Sequence, residues 1–212
     1  MRIVQLIAGI CLLAPGWAAA QVAALPPAGP ETRSVALILT DAAHEPAARD
    51  LAARLRGMHA ATILLSVEDT ARRAKACDGP GRDLAALAAG AGGARRIAPV
   101  LVGLGAGADL ALAAAQDLPA AFKGLATLGY ARGGCASAPG DKAAVRWHDV
   151  GPAPAAPDLR GVRHYPQGDA PQAALTKAYL ALAGMDHAFA PSGADMDEFP
   201  ITLHHDPDAP QT

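Results

Sequence analysis

The sequence predicts an α/β fold, a single domain with a mostly parallel central sheet and helices on both faces. Two observations carry that expectation. From Ser34 onward, short continuous apolar runs, suited to strands covered on both sides, alternate with longer stretches of helix-forming residues. Such alternation is the pattern of parallel strands joined by crossover helices. The chain has 212 residues, enough to bury a core without metal or other staples, and 51% are hydrophobic against only 4% aromatic. The core is therefore built from Ala, Leu and Val, and its elements must approach closely.

Met1 to Ala20 has the layout of a cleaved secretory signal, giving a segment 1–20. Arg2 supplies the charged start, Ile3 to Ala14 a short apolar stretch that Pro15-Gly16 breaks, and Ala18-Ala19-Ala20 a cleavage site. The apolar stretch is short for a membrane span, so the mature chain is expected to have none. Ile10 stands before Cys11 where a lipoprotein signal needs a small residue, so Cys11 leaves with the peptide. Residues 21–33 read as a Pro/Ala-rich leader without periodicity. The expected domain is 34–203, and 204–212 is a polar, Pro-containing tail expected to be disordered.

Within the domain, Ser34 to Thr40 reads as a buried strand, Asp41 to Pro46 as a loop, and Ala47 to Gly57 as an amphipathic helix. Ala61 to Ser66 is the next strand, Glu68 to Cys77 a charged loop, and Asp83 to Ala89 a helix that Gly90 to Gly93 ends. Pro99 to Val102 is a strand followed by a helix that Pro119 stops, and Gly124 to Tyr130 is a further buried strand. Ala143 to Val150 and Gly161 to Tyr165 read as strands. Pro171 to Ala183 is helix-forming, although Tyr179 to Leu182 fits a short strand equally well.

Between Val102 and the following helix lie glycines at alternate positions, Gly103, Gly105 and Gly107. A strand, a glycine turn and a helix in that order serve two chemistries. In a G-x-S-x-G elbow the glycines permit a sharp bend that lifts a nucleophile above the sheet, and the next backbone N–H helps form an oxyanion hole. In a dinucleotide site the turn brings N–H groups against a pyrophosphate, and Gly103, Gly105 and Ala108 satisfy the looser form of that motif. Against the second, the turn follows a middle strand rather than the first, and Gly129-Tyr130 ends the next strand where an acidic residue should stand. No cofactor is expected.

Eighteen basic and 20 acidic residues give a net charge of −2 with no basic block, which excludes an electrostatic footprint for nucleic acid. The mature chain keeps Cys77 and Cys135, for which an oxidising compartment makes a disulfide the expected state and two separately buried thiols the alternative. His204-His205-Asp206 lies in a tail with no fixed geometry, so no metal site is assigned.

The run from Cys77 through Asp83-Leu84, Pro99-Val100-Leu101-Val102-Gly103, Gly107-Ala108, the Ala-rich helix to Pro119, Phe122-Lys123-Gly124 and Leu128-Gly129 to Cys135 resembles the N-terminal half of the VirJ/AcvB virulence-protein family. The resemblance is good over about residues 77 to 137 and loose elsewhere, and a second half like the family's is missing from this sequence. It implies an α/β-hydrolase-like fold, a periplasmic location and a link to type IV secretion. The family is associated with hydrolysis of aminoacylated phosphatidylglycerol, and its C-terminal half carries an intact G-x-S-x-G elbow.

Carried over by position, the nucleophile falls on Gly105, which has no side chain to attack with. The chain order nucleophile, acid, base would make Asp169 the acid and His187 the base. The alternatives are a helix cap for Asp169 and an ordinary loop histidine for His187. Ser34, Ser66, Ser137 and Ser192 stand on no glycine turn between strand and helix. The expected site is thus a vestigial one around Gly105, Asp169 and His187. A binding surface is expected at Thr40, Asp41, Gly103, Leu104, Gly105 and Ala106. The expectation is a non-catalytic periplasmic protein that binds a lipid-derived molecule or a protein partner. The alternative is a working ester hydrolase that uses bound water in place of serine, with the Ala106 N–H and a donor near Thr40 or Asp41 as the residual oxyanion hole.

Overall fold

The computed structural model describes residues 23–25, 32–67, 77–91, 97–131, 134–137, 142–154, 160–168 and 170–186. The segments expected to be a signal peptide and a tail lie outside these, as do the charged loop 68–76, Asp169, His187, Ser192 and the His204-His205-Asp206 cluster.

The strands are β1 (Ala23–Leu25), β2 (Ser34–Thr40), β3 (Ala60–Ser66), β4 (Val100–Leu104), β5 (Gly124–Leu128), β6 (Lys142–Gly151) and β7 (Arg160–Pro166). The helices are α1 (Glu45–Gly57), α2 (Pro80–Ala91), α3 (Ala106–Asp117) and α4 (Pro171–Ala183), with short 3-10 turns at Ala42–His44 and Pro119–Ala121. The strands form one sheet in the order β1-β3-β2-β4-β5-β6-β7. All neighbours are parallel except β1, which runs antiparallel to β3 with Ala24 opposite Ile63. The predicted α/β architecture is the observed one.

Each face of the sheet has its own core. On one side α1 and α4 cover Ala36, Ile38, Val102, Leu104, Ala126 and Val150, and on the other α2 and α3 cover Val35, Leu37, Leu39, Leu101, Leu125 and Trp147. Alternate residues of β2 thus enter opposite cores, which is why a central parallel strand reads as an unbroken apolar run. Helix α1 buries Ala48, Leu51, Ala52 and Leu55, the stripe expected of a helix with one dry face. Helix α3 is buried from Gly107 to Ala115, because β4 lies under it and α2 against its side.

Two readings of the sequence need correction, and one alternative left open is decided. The leader is not structureless throughout, since residues 23–25 pair with β3; strand pairing at an edge is a backbone property that side-chain periodicity does not report. The stretch after β2 is not a plain loop but a 3-10 turn leading into a helix that starts at Glu45, with Pro46 in its first turn, where its missing N–H costs nothing. Residues 179–182 are helical. Helix α4 runs through Ala183 and ends on Gly184 in the left-handed region at φ 71°, where Met185 N–H donates to the Leu180 carbonyl at 2.9 Å. No helix among the described residues is long and apolar enough to cross a membrane.

Candidate functional site

The turn between β4 and α3 lies at the carboxyl end of a central strand, flanked by β2 and β5. Gly105 is its tip, at φ 55° and ψ −125°, a conformation in which a Cβ is strained. The bend is held on both sides: Gly105 N–H donates to the Leu128 carbonyl at 3.0 Å, and Ala108 N–H to the Gly105 carbonyl at 3.1 Å. The flanking glycines serve close packing. A Cβ on Gly103 would run into the Ala108 backbone and one on Gly107 into the Leu39 carbonyl, so β4, α3 and β2 meet at distances only glycine permits.

Above Gly105 the space is filled. A Cβ built there would fall on the Asp41 carboxylate and the His44 ring. Asp41 follows β2 directly and its carboxylate caps the 3-10 turn, with Oδ1 accepting from His44 N–H at 3.0 Å and pairing with His44 Nδ1 at 2.7 Å. Its other oxygen, Oδ2, accepts from Ala106 N–H at 2.8 Å. Burial pushes the Asp41 carboxyl upward, but the Ala106 N–H, the His44 ring and the His44 N–H together outweigh it, so its pKa is held below the ordinary aspartate value. The acceptor role of the carboxylate fixes the proton of the pair on His44 Nδ1.

This arrangement corrects the expected oxyanion hole. The Ala106 N–H points into the elbow as expected, but Asp41 brings to it an acceptor rather than a second donor, and the hole is occupied by a carboxylate of the same chain. Of the expected binding residues, Asp41, Gly105 and Ala106 come together. Thr40 is fully buried, with its hydroxyl donating to the Asp41 carbonyl at 3.1 Å; the Leu104 side chain is in the α1/α4 core; and Gly103 is a packing glycine. His44 was not singled out from the sequence. The signal was present as an aspartate right after a strand and a histidine three residues on, the spacing at which a 3-10 turn brings two side chains together.

The alternative nucleophiles are elsewhere. Ser34 sits at the opposite end of β2, where its Oγ accepts from Tyr179 OH at 2.7 Å, and Ser137 is paired through its backbone with the Gln116 amide. Ser66 ends β3, separated from β4 by β2 and so roughly 10 Å away across the sheet. A dinucleotide fares no better at the elbow, since the N-terminus of α3 already faces a carboxylate that would repel a pyrophosphate.

A second aspartate–histidine pair lies within the sheet. Asp149 on β6 and His164 on β7 are register partners, with His164 Nδ1 3.4 Å from Asp149 Oδ2. Asp149 Oδ1 accepts from Thr127 Oγ1 at 2.8 Å, and that hydroxyl accepts from Trp147 Nε1 at 2.8 Å. Among the described residues no group of three or more His, Cys, Asp or Glu side chains is arranged to hold a metal. Cys77 and Cys135 are joined as a disulfide with Cα atoms 5.1 Å apart, the pairing expected of them. The bridge borders a shallow groove of about 260 Å³ lined also by Pro80, Gln116, Asp117 and Ser137.

The sequence matches no protein-family profile and no curated protein. Among solved structures, the chain is similar to an enterochelin esterase from Shigella flexneri, with a TM-score of 0.47 and 15% identity over 84% of this chain and 62% of the esterase. It is also similar to the enterobactin esterase FES from Shigella flexneri, determined in the presence of 2,3-di-hydroxy-N-benzoyl-glycine, with a TM-score of 0.40 and 17% identity over 83% of this chain and 63% of that one. The chain therefore spans about three fifths of the length of either esterase. Likeness at this level says nothing about activity. The parallel sheet, the helices on both its faces and the sharp glycine turn from a central strand into a helix together make this an α/β fold.

Proposed function

We propose that this is an exported, non-catalytic α/β-hydrolase-like protein of the VirJ/AcvB type, which works in the periplasm by binding a lipid-derived molecule or a protein partner and serves virulence or type IV secretion. The observation that carries the non-catalytic reading is the filled elbow. Position 105 offers no nucleophile, and the space a nucleophile would occupy holds Asp41 and His44. The backbone donor that would stabilise an oxyanion is bonded to a carboxylate, which would also repel negative charge developing there. A triad that lacks its nucleophile loses orders of magnitude in rate. Export is supported by the charged, apolar and small-residue segments in the first 20 positions and by the paired cysteines.

The competing reading is a serine-independent ester hydrolase acting on aminoacylated phosphatidylglycerol, with the Asp41–His44 pair activating water. The pair has the right partners for it, because a carboxylate at Nδ1 orients an imidazole whose Nε2 remains available as a base. Assay of purified protein against p-nitrophenyl acetate and against aminoacylated phosphatidylglycerol in vesicles decides between them. The expected result is no turnover above a heat-denatured control, together with co-sedimentation with the vesicles or with a periplasmic partner. Turnover that disappears in His44→Ala would overturn the non-catalytic reading in favour of the hydrolase.

A further inference from the structure

Cys77 precedes α2 and Cys135 follows β5, and both are half-buried where they line the shallow groove. Cys77 packs into neither core, and Cys135 only borders one of them. The bridge is not what places the two residues. Each flanking segment is fixed to the same helix, α3, by hydrogen bonds that do not involve sulfur. Gly81 N–H donates to Asp117 Oδ2 at 3.0 Å, and a Cβ on Gly81 would run into the Ala114 carbonyl, so the start of α2 lies directly on the end of α3. On the other side Cys135 N–H donates to Asp109 Oδ2 at 2.8 Å. Ser137 is bonded to the Gln116 amide in both directions, its N–H donating to Oε1 and its carbonyl accepting from Nε2, each at 3.0 Å.

We propose that Cys77–Cys135 is a reversible dithiol–disulfide site, open to exchange with a vicinal dithiol of another molecule while the rest of the chain stays folded. One thiolate of that dithiol attacks a bridge sulfur, the S–S bond breaks, and the other cysteine leaves as a thiolate that takes a proton from water. The second thiolate of the reductant then attacks its own partner sulfur in the mixed disulfide and releases the remaining cysteine. Two electrons pass to the bridge, and the dithiol ends as a disulfide. The groove supplies access, because both cysteines line it. Helix α3 supplies reversibility: two thiols held on one helix stay at high effective concentration, and the reverse exchange closes them again. A single thiol reduces such a site poorly, since the released cysteine displaces it from the mixed disulfide. Nothing at the elbow enters this exchange.

The full chain is treated with dithiothreitol at neutral pH, in native buffer and in unfolding urea, and free thiols are counted by alkylation and intact mass. In native buffer the bridge should open less than about a hundredfold more slowly than in urea. Greater suppression overturns the proposal, since opening through global unfolding is slowed by the folding equilibrium constant, roughly a thousandfold or more. The reduced chain should keep a cooperative melting transition, and losing it is equally fatal. Equilibration with glutathione should give an effective thiol concentration at least about tenfold higher in native buffer than in urea. Gln116→Ala, which removes both bonds to Ser137 and keeps both thiols, should lower the native value about fivefold. Equal values in buffer and urea, or a native value that Gln116→Ala leaves unchanged, refute the pinning by α3 and the proposal with it. No ester or membrane is present, so failure here is separate from failure of the proposed function.

Discussion

Asp41 and His44 lie three residues apart on one turn at the carboxyl end of β2, 2.7 Å from each other and half exposed, whereas Asp149 and His164 face each other across β6 and β7, 3.4 Å apart, with the Asp149 side chain only 2% exposed. The first pair is a local device: beyond its own turn Asp41 accepts from the Ala106 N–H, and the two side chains fill the space above Gly105. The second anchors a chain of buried polar groups, Trp147 to Thr127 to Asp149, that ties β5, β6 and β7 together. The same residue types serve different ends because the cost of losing a partner depends on whether water can replace it. At the elbow it can. Inside the sheet it cannot.

The largest effect should come from Asp149→Ala. It strips the Thr127 hydroxyl of its acceptor in a dry environment and removes the carboxylate facing His164 Nδ1, so unfolding in urea should show a loss of about 3 kcal/mol. A loss below about 1 kcal/mol would mean that the sheet pair is as replaceable as the elbow pair, and the contrast drawn above would collapse.

A smaller effect, about 1 to 2 kcal/mol, is expected for Asp41→Ala by the same measurement. The substitution removes a cap and one favourable helix-terminus charge while leaving the exposed donors to water. Should it match the Asp149 effect, the Asp41 carboxylate is holding more of the β2–β4 contact than its own turn.

Acid titration separates the two regions with the mildest perturbation. His148, next to Asp149 on β6, is 9% exposed, with Nδ1 3.2 Å from the Ala178 carbonyl and 3.3 Å from Tyr165 OH. Burial, then the nearby Arg163 and Arg146 charges, lower its pKa despite the opposing pull of the Ala178 carbonyl. The native state thus binds a proton less readily than the unfolded chain. Stability from this histidine is complete above the unfolded value of about 6.5 and falls as the pH drops below it. Asp41 has a lowered carboxyl pKa, so its contribution persists through that range and is lost only as the pH falls below about 4. The melting temperature should therefore fall between about pH 7 and pH 5.5 in the unmodified protein and stay flatter in His148→Gln. An unchanged slope in that variant would place the acid sensitivity elsewhere.

The elements of the fold were legible where they leave a pattern in one dimension. Val35 to Leu39 alternate between two cores, so both faces are apolar and the run shows it; Leu51 and Leu55 mark one helix face; Gly103, Gly105 and Gly107 announce a tight turn after a strand. The candidate site was legible only in part. Gly105 and the Ala106 N–H followed from the motif, but Asp41 was read as standing near a donor, and His44 was marked only by its spacing three residues after an aspartate that follows a strand. The Asp149, Thr127 and Trp147 chain joins residues 20 and 22 positions apart, which only strand register brings together.

By itself the sequence determined the α/β class, the order of strands and helices from Ser34 onward, and the absence of a nucleophilic side chain at the elbow tip. Those follow from hydrophobic periodicity, helix and strand propensities and the identity of one residue, all local properties. Tertiary structure decided what fills the elbow. Whether the Ala106 N–H is open or closed depends on the distance between the end of β2 and the start of α3, a contact between residues 65 positions apart. That distance is set by close packing at Gly103 and Gly107, where missing Cβ atoms let β2, β4 and α3 converge until the Asp41 carboxylate reaches the helix.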